Sequence, residues 1–322
     1  MTTAQHRIGS GFHAFSTARE VIRGVDLSGR TALITGGYSG LGRAATAALS
    51  AAGARVVVPA RRPDAARAAL AGIPHTVVHA LDLADLDSVR RFGERFLDTG
   101  VRLDIVIANA GVMAYPAERV GPGWEAHFAI NHLGHFALVN RLRPALTRGA
   151  RIVSVSSSGH FLSGIRWDDP HFRRGYDHWQ AYGQSKTANA LFAVHLDTMC
   201  GPGELRAFAV HPGSILTPLQ RNIPRAEHLA QGWVTPAGRP AKGFKTPAQG
   251  AATAVWAATA AELDGHGGAY CQDCDIAEPA TGDDMLIGGV KPWAVDRDDA
   301  ARLWSLSAEL TELDSFTRAD PR

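Results

Sequence analysis

Short apolar runs alternate with amphipathic stretches along most of the chain. Arg30–Thr35, Ala54–Ala60, Thr76–Leu81, Leu103–Ala108, Arg151–Ser156 and Leu205–His211 are rich in Val, Ile, Leu and Ala with little polar alternation, the pattern of strands buried on both faces. Between them Arg43–Ala52, Asp64–Ala71, Leu86–Asp98, Trp124–Arg141 and the stretch holding Tyr182 and Lys186 read as helices. Strands separated by helices predict a parallel sheet with helices on both faces. The expected fold is therefore α/β, a single Rossmann-type doubly wound sheet.

Residues 1–28 read as an N-terminal extension with a short helix, because Thr17 and Glu20 have capping-box spacing ahead of Val21 and Ile22. Residues 29–290 form the expected catalytic domain. Residues 291–322 form a helical tail, with an amphipathic stretch over Ala300–Leu313. Two long irregular stretches, 158–180 and 214–245, follow strand ends, where ligands of open α/β sheets bind. Loops of that length inside a compact fold are usually lids or binding loops.

Composition narrows the function. The 322 residues carry a net charge of +2 with no dense Lys/Arg cluster, which points away from nucleic acid and anionic membrane surfaces and toward a small-molecule partner. No apolar run approaches the roughly 20 residues needed to span a bilayer, and the first residues lack the apolar core of a secretion signal. A cytoplasmic location is expected. Three cysteines fit a reducing compartment. Cys271 and Cys274 form a Cys-x-x-Cys that reads either as a redox or metal half-site or as two small residues packing a turn. With no second pair nearby, packing is the simpler reading, and no metal site is expected.

Two features carry chemistry. Gly36, Gly40 and Gly42, between a strand and a helix, let backbone amides approach a pyrophosphate and place it at a helix N-terminus. Tyr182 and Lys186 stand four apart on one helix face. A fixed ammonium beside a phenol favours the phenolate and is expected to lower its pKa toward the working range of a proton exchanger.

The ordered set Thr35-Gly36-Gly37-Tyr38-Ser39-Gly40-Leu41-Gly42, Asn109-Ala110-Gly111, Asn131, Ser157, Tyr182-x-x-x-Lys186 and Pro212-Gly213 resembles the short-chain dehydrogenase/reductases from about residue 20 to about residue 275. The phrase Ile-Asn-His-Leu-Gly-His-Phe, His211-Pro-Gly and Asp26-Leu-Ser-Gly resemble the retinol-dehydrogenase and WW-domain-oxidoreductase-like branch. The resemblance implies a catalytic tetrad. Tyr182 is the general acid/base and Lys186 holds the nicotinamide ribose. Ser157 steadies the substrate oxygen, and Asn131 holds a water linking Lys186 to solvent. It also implies that Asn109 braces the sheet, that Asp82 and Leu83 flank the adenine, and that Pro212, Gly213, Ile215 and Thr217 hold the nicotinamide half. Tyr38, Ser39, Leu41, Ala110 and Gly111 complete the cofactor contacts. A homodimer or homotetramer is implied as well.

Ser157 lies in Ser156-Ser157-Ser158, and its selection rests on the family's Ile/Val-Ser-Ser pattern. After the second strand, where NAD-preferring members carry an acid, this chain has Ala60 followed by Arg61 and Arg62. Arginines can pair with a 2′-phosphate, so NADP(H) is expected over NAD(H). Ser39 is not the basic residue that some NADP-dependent members carry, and Tyr38 replaces the asparagine common in this branch. Phe161, Trp167, Phe172, Tyr176 and Trp179 in the first loop, with Trp233 and Phe244 in the second, are expected to wall an apolar substrate pocket, and His160 and His178 read either as polar contacts to it or, as isolated histidines usually are, as solvated side chains. The expected activity is hydride transfer between nicotinamide and the carbonyl or alcohol carbon of an apolar substrate. The alternative is a catalytically idle NADP-binding sensor or scaffold.

Overall fold

The computed structural model describes residues 4–200 and 203–317. The ends of the expected N-terminal extension and C-terminal tail, residues 1–3 and 318–322, therefore lie outside the described residues. The strands are β1 (Thr31–Ile34), β2 (Arg55–Ala60), β3 (Thr76–Ala80), β4 (Leu103–Ala108), β5 (Arg119–Val120), β6 (Trp124–Glu125), β7 (Leu146–Val155), β8 (Leu205–His211), β9 (Tyr270–Gln272) and β10 (Asp275–Ile276). The helices are α1 (Ala18–Val21), α2 (Gly40–Ala51), α3 (Pro63–Leu70), α4 (Leu86–Asp98), α5 (Gly134–Leu142), α6 (His178–Met199), α7 (Arg225–Ala230), α8 (Pro247–Gly250), α9 (Ala252–Thr259) and α10 (Arg297–Thr311).

Eight strands form one sheet in the order β10-β9-β8-β7-β4-β1-β2-β3, parallel throughout except for β10. The chain runs outward from β1 to β3 and then returns to β4 on the other side of β1. That reversal opens a crevice beyond the carboxyl ends of β1 and β4, as expected for a doubly wound sheet. Apolar side chains pack on both faces. One layer buries Phe92, Phe128, Phe136 and Trp304, and the other buries Leu49, Phe208 and Trp256. This explains why the strands read as nearly unbroken apolar runs.

The single helix expected over Trp124–Arg141 is three pieces. Trp124 and Glu125 pair with β5 as a short hairpin, Phe128–Leu133 makes a π-helical turn, and α5 follows. Glu125 drives the change: its fully buried carboxylate accepts from the backbone N–H groups of His127 and Phe128 and so starts the helix after the hairpin. At the other end α10 lies on α5 and α6, with Trp304 stacked on Phe192 at 5.8 Å and edge-on to Phe136 at 4.7 Å. No helix among the described residues is long and apolar enough to cross a membrane.

Candidate active site

A cleft of about 1070 Å³ opens at the crevice. Its floor is the loop between β1 and α2. Gly36 has φ +65°, open to glycine at little cost, and a Cβ on Gly42 would stand 2.6 Å from the Asn109 amide nitrogen and closer still to the Gly36 carbonyl. The glycines are thus required by close backbone approach. Thr35, at the end of β1, fastens the floor to β4. Its hydroxyl accepts from Asn109 N and Ala110 N at 2.9 and 3.0 Å and contacts His135 Nε2 at 2.8 Å. Because His135 Nδ1 faces the Asn131 carbonyl, an acceptor only, Nδ1 carries the proton and Nε2 accepts from Thr35.

Tyr182 and Lys186 lie in the first half of α6, whose N-cap Asp177 accepts from Gln180 N at 2.8 Å. The helix docks on the end of β7 through polar contacts that repeat along one face. Lys186 Nζ and Asn189 Nδ2 both donate to the Val155 carbonyl at 3.0 Å, and Ser156 Oγ donates to the Lys186 carbonyl at 2.8 Å. Ser157 follows β7 in extended backbone, with its hydroxyl accepting from Gly159 N and facing Tyr182, since a Cβ on Gly159 would stand 2.7 Å from the Tyr182 ring and 3.4 Å from Ser157 Oγ. Ser157 rather than Ser156 therefore faces the phenol. A Cβ on Gly111 would stand 2.9 Å from Asn131 Oδ1 and 3.7 Å from Lys186 Nζ, which places all three together.

Two expectations change in detail. Burial pushes the Tyr182 phenol up to about 12, opposed by the hydrogen bond from Ser157, and burial pulls Lys186 down to about 8. Lys186 Nζ is 5.6 Å from the centre of the Tyr182 ring and engaged with a carbonyl, so desolvation outweighs the tuning expected from helix spacing. Asn131 is fully buried and commits its amide to the protein: Oδ1 accepts from Val112 N, and Nδ2 donates to Val112 O and Ser185 Oγ. Its side chain braces the loop after β4 against α6.

The cleft gathers Gly36, Tyr38, Ser39, Gly40, Leu41, Arg61, Arg62, Asp82, Leu83, Asn109, Ala110, Gly111, Ser157, Tyr182, Lys186, Pro212, Gly213, Ile215 and Thr217 along its walls. Gly42 and Asn131 stand just behind them. Arg61 and Arg62 are exposed at the end of β2, free to turn toward an anion. Thr217 caps the turn Pro218–Asn222, and its Cβ would lie 3.3 Å from a Cβ on Gly40, closing the second loop over the glycines. The loop's far end is held by Lys245, whose Nζ pairs with Asp273 at 2.6 Å and whose stem lies across Gly213.

The substrate side departs most from expectation. Around Tyr182 lie Met113, Ile223, Trp179, Leu219 and Trp233, the two indoles meeting edge to face at 5.9 Å. Phe161, Trp167, Phe172 and Tyr176 do not line the cleft. Arg166 covers Phe172 at 4.2 Å, Arg302 covers Trp167 at 4.1 Å, and the Tyr176 hydroxyl donates to the Tyr115 carbonyl. Those four stabilise the first loop from outside the pocket. Met285 and Leu286, after β10, join the rim. Their only sequence signal is the apolar run Met285-Leu286-Ile287 between Asp283-Asp284 and a glycine pair. Cys271 and Cys274 are buried free thiols, their pKa values raised by burial, and no metal-ligating cluster occurs among the described residues.

Residues 30–228 match the short chain dehydrogenase family model. A probable oxidoreductase of Streptomyces lividans is 43% identical over 296 residues, covering 88% of this chain and 98% of that protein. Mouse retinol dehydrogenase 12 is 35% identical, covering 89% of this chain and 87% of its own length. A structure described as the Pseudomonas aeruginosa RhlG/NADP active-site complex superposes with a TM-score of 0.58 at 26% identity, covering 77% of this chain and 95% of that one. The glycine floor, the buried lysine and the paired hydroxyls fit a nicotinamide dinucleotide, and the chain belongs to the short-chain dehydrogenase/reductases, as an oxidoreductase of their retinol-dehydrogenase-like branch.

Proposed function

We propose that this protein is an NADP(H)-dependent reductase or dehydrogenase that moves a hydride between nicotinamide and the carbonyl or alcohol carbon of an apolar substrate. The observation that carries the proposal is the meeting of the Ser157 and Tyr182 hydroxyls at an apolar corner of the cleft, with the Lys186 amine behind them. When bound, the cofactor supplies or takes the hydride. In reduction the substrate oxygen accepts hydrogen bonds from Ser157 and Tyr182, which steady the charge that develops there. The phenol, raised to about 12, is protonated at neutral pH and gives its proton to that oxygen. In oxidation the same proton returns to Tyr182. Lys186, donating to one carbonyl, keeps two N–H groups for ribose hydroxyls, and its charge stabilises the phenolate left after transfer. Met113, Trp179, Leu219, Ile223 and Trp233 exclude water and favour an apolar substituent.

Preference for NADP(H) rests on Arg61 and Arg62 at the cleft wall, and the NADP named for the similar Pseudomonas structure supports it. A cytoplasmic homodimer or homotetramer completes the proposal on the family resemblance, with sedimentation as its check. The central test is steady-state NADPH oxidation with a panel of apolar ketones and aldehydes. Turnover that falls about 10²- to 10⁴-fold in Tyr182→Phe, with NADPH binding retained, supports the assignment. Tight NADPH binding without turnover of any carbonyl or alcohol favours the scaffold reading instead.

A further inference from the structure

We infer that His160 is a positioning residue of this site: its neutral imidazole grips the Ser157 carbonyl from behind and so holds the Ser157 hydroxyl against Tyr182. The inference rests on the function proposed above, in which Ser157 meets the substrate oxygen.

Ser157 lies just beyond the end of β7, and its hydroxyl is aimed by one backbone bond, from Gly159 N, on the side that faces Tyr182. Whatever fixes its carbonyl therefore fixes its hydroxyl. Three donors converge on that carbonyl. His160 gives its backbone N–H at 3.1 Å and Nδ1 at 2.6 Å, and the Tyr270 hydroxyl donates at 3.1 Å. The other ring nitrogen, Nε2, accepts from Lys291 N at 3.1 Å. A carbonyl can only accept and an amide N–H can only donate, so the ring has one allowed tautomer, protonated on Nδ1 and bare on Nε2. Burial, which pulls its pKa to about 4, keeps it in that state.

The imidazole is itself immobile. Its backbone carbonyl accepts from Trp293 Nε1 at 3.1 Å and lies 3.4 Å from the Thr187 hydroxyl, so α6 and the segment before α10 both hold it. His160 is fully buried and absent from the cleft wall, which rules out the substrate contact expected of it from sequence. Gly159, between Ser157 and His160, lies against the Tyr182 ring. A shift of the 157–160 turn thus reaches both hydroxyls at once.

The experiment compares His160→Phe, His160→Asn and His160→Gln in the full chain. Asparagine can place an N–H near the position of Nδ1, whereas glutamine places it near Nε2. In His160→Phe, kcat is expected to fall about 10²-fold while KM and NADPH affinity change less than about threefold, with His160→Asn recovering most of the loss and His160→Gln little. Wild-type kcat in His160→Phe overturns the inference. If that variant fails to fold, the order of the other two decides, and Gln equal to or faster than Asn overturns it. If the wild-type protein turns over no carbonyl or alcohol, the proposed function fails by itself. Crystal structures of wild type and His160→Gln then test the clamp: a Ser157 hydroxyl displaced from Tyr182 in the variant supports it, and an unmoved one overturns it.

Discussion

Gly159 lies directly against the ring of Tyr182: a Cβ at residue 159 would stand 2.7 Å from Cε1 and 3.0 Å from Cδ1. The phenol is therefore walled by backbone, and no side chain can be added there without turning the ring. Gly159→Ala is expected to lower kcat by about 10²-fold through misplacement of the hydroxyl, with NADPH affinity nearly unchanged. Fluorescence titration of NADPH beside steady-state kinetics checks this, and equal kcat in the variant contradicts the geometry.

Arg61 and Arg62 give the cofactor prediction. A charge-assisted pair with a phosphate contributes about 1.5–3 kcal/mol, so replacing both with alanine should weaken NADPH binding by about 10- to 100-fold. NADH, which lacks the 2′-phosphate, should bind much as before. Calorimetric titration of both nucleotides reads the difference, and an equal loss for each would remove these residues from cofactor selection.

Thr35→Val keeps shape while removing the hydroxyl that serves Asn109 N, Ala110 N and His135 Nε2. Thr35 is buried, so each group left unpaired costs about 1–3 kcal/mol. The expected outcome is a loss of several kcal/mol in urea unfolding, together with weaker cofactor binding because the glycine floor loses its tie to β4. A variant as stable as wild type would show that water replaces the hydroxyl.

Four buried histidines set an acid limit. Burial holds His132 and His211 near a pKa of about 3, and His135 and His160 near about 4, all below the ordinary 6.5. The unfolded chain takes up these protons first as pH falls. The stability associated with the neutral rings is complete above pH 6.5 and declines as pH drops through 6.5 toward 4, by about 1.4 kcal/mol per pH unit for each group. Urea midpoints measured from pH 7.5 to 4.5 should fall steadily below 6.5, and a flat profile would contradict the assignment.

Trp233 packs edge-on against Trp179, one turn before Tyr182 on α6. Trp233→Ala opens that wall and is expected to raise KM for bulky apolar ketones by about 10-fold or more, in line with the loss of a buried aromatic contact, while sparing the smallest ones. A uniform change across substrate sizes would place the indole outside the pocket.

The strand pattern was legible because a sheet covered on both faces forces apolar runs that composition displays directly. Gly36, Gly42, Ser157, Tyr182 and Lys186 were legible as candidates that one cleft brings together, because the chemistry proposed for them needs particular residue types at particular spacings. Other features depend on long-range partners and leave no local pattern. Glu125 breaks the expected helix only because it is buried where two N–H groups need it. Phe161 and Trp167 read like pocket residues until Lys291 and Arg302, far along the chain, are found covering them. His160 reads like a solvated histidine until Lys291 meets its far nitrogen.

That last contact spans 131 residues. During synthesis the glycine loop, both hydroxyls and the lysine leave the ribosome long before Lys291 and Trp293 do. The nascent chain thus carries the 157–160 turn without part of its backing, and that turn is completed late, with the segment that leads into the final helix.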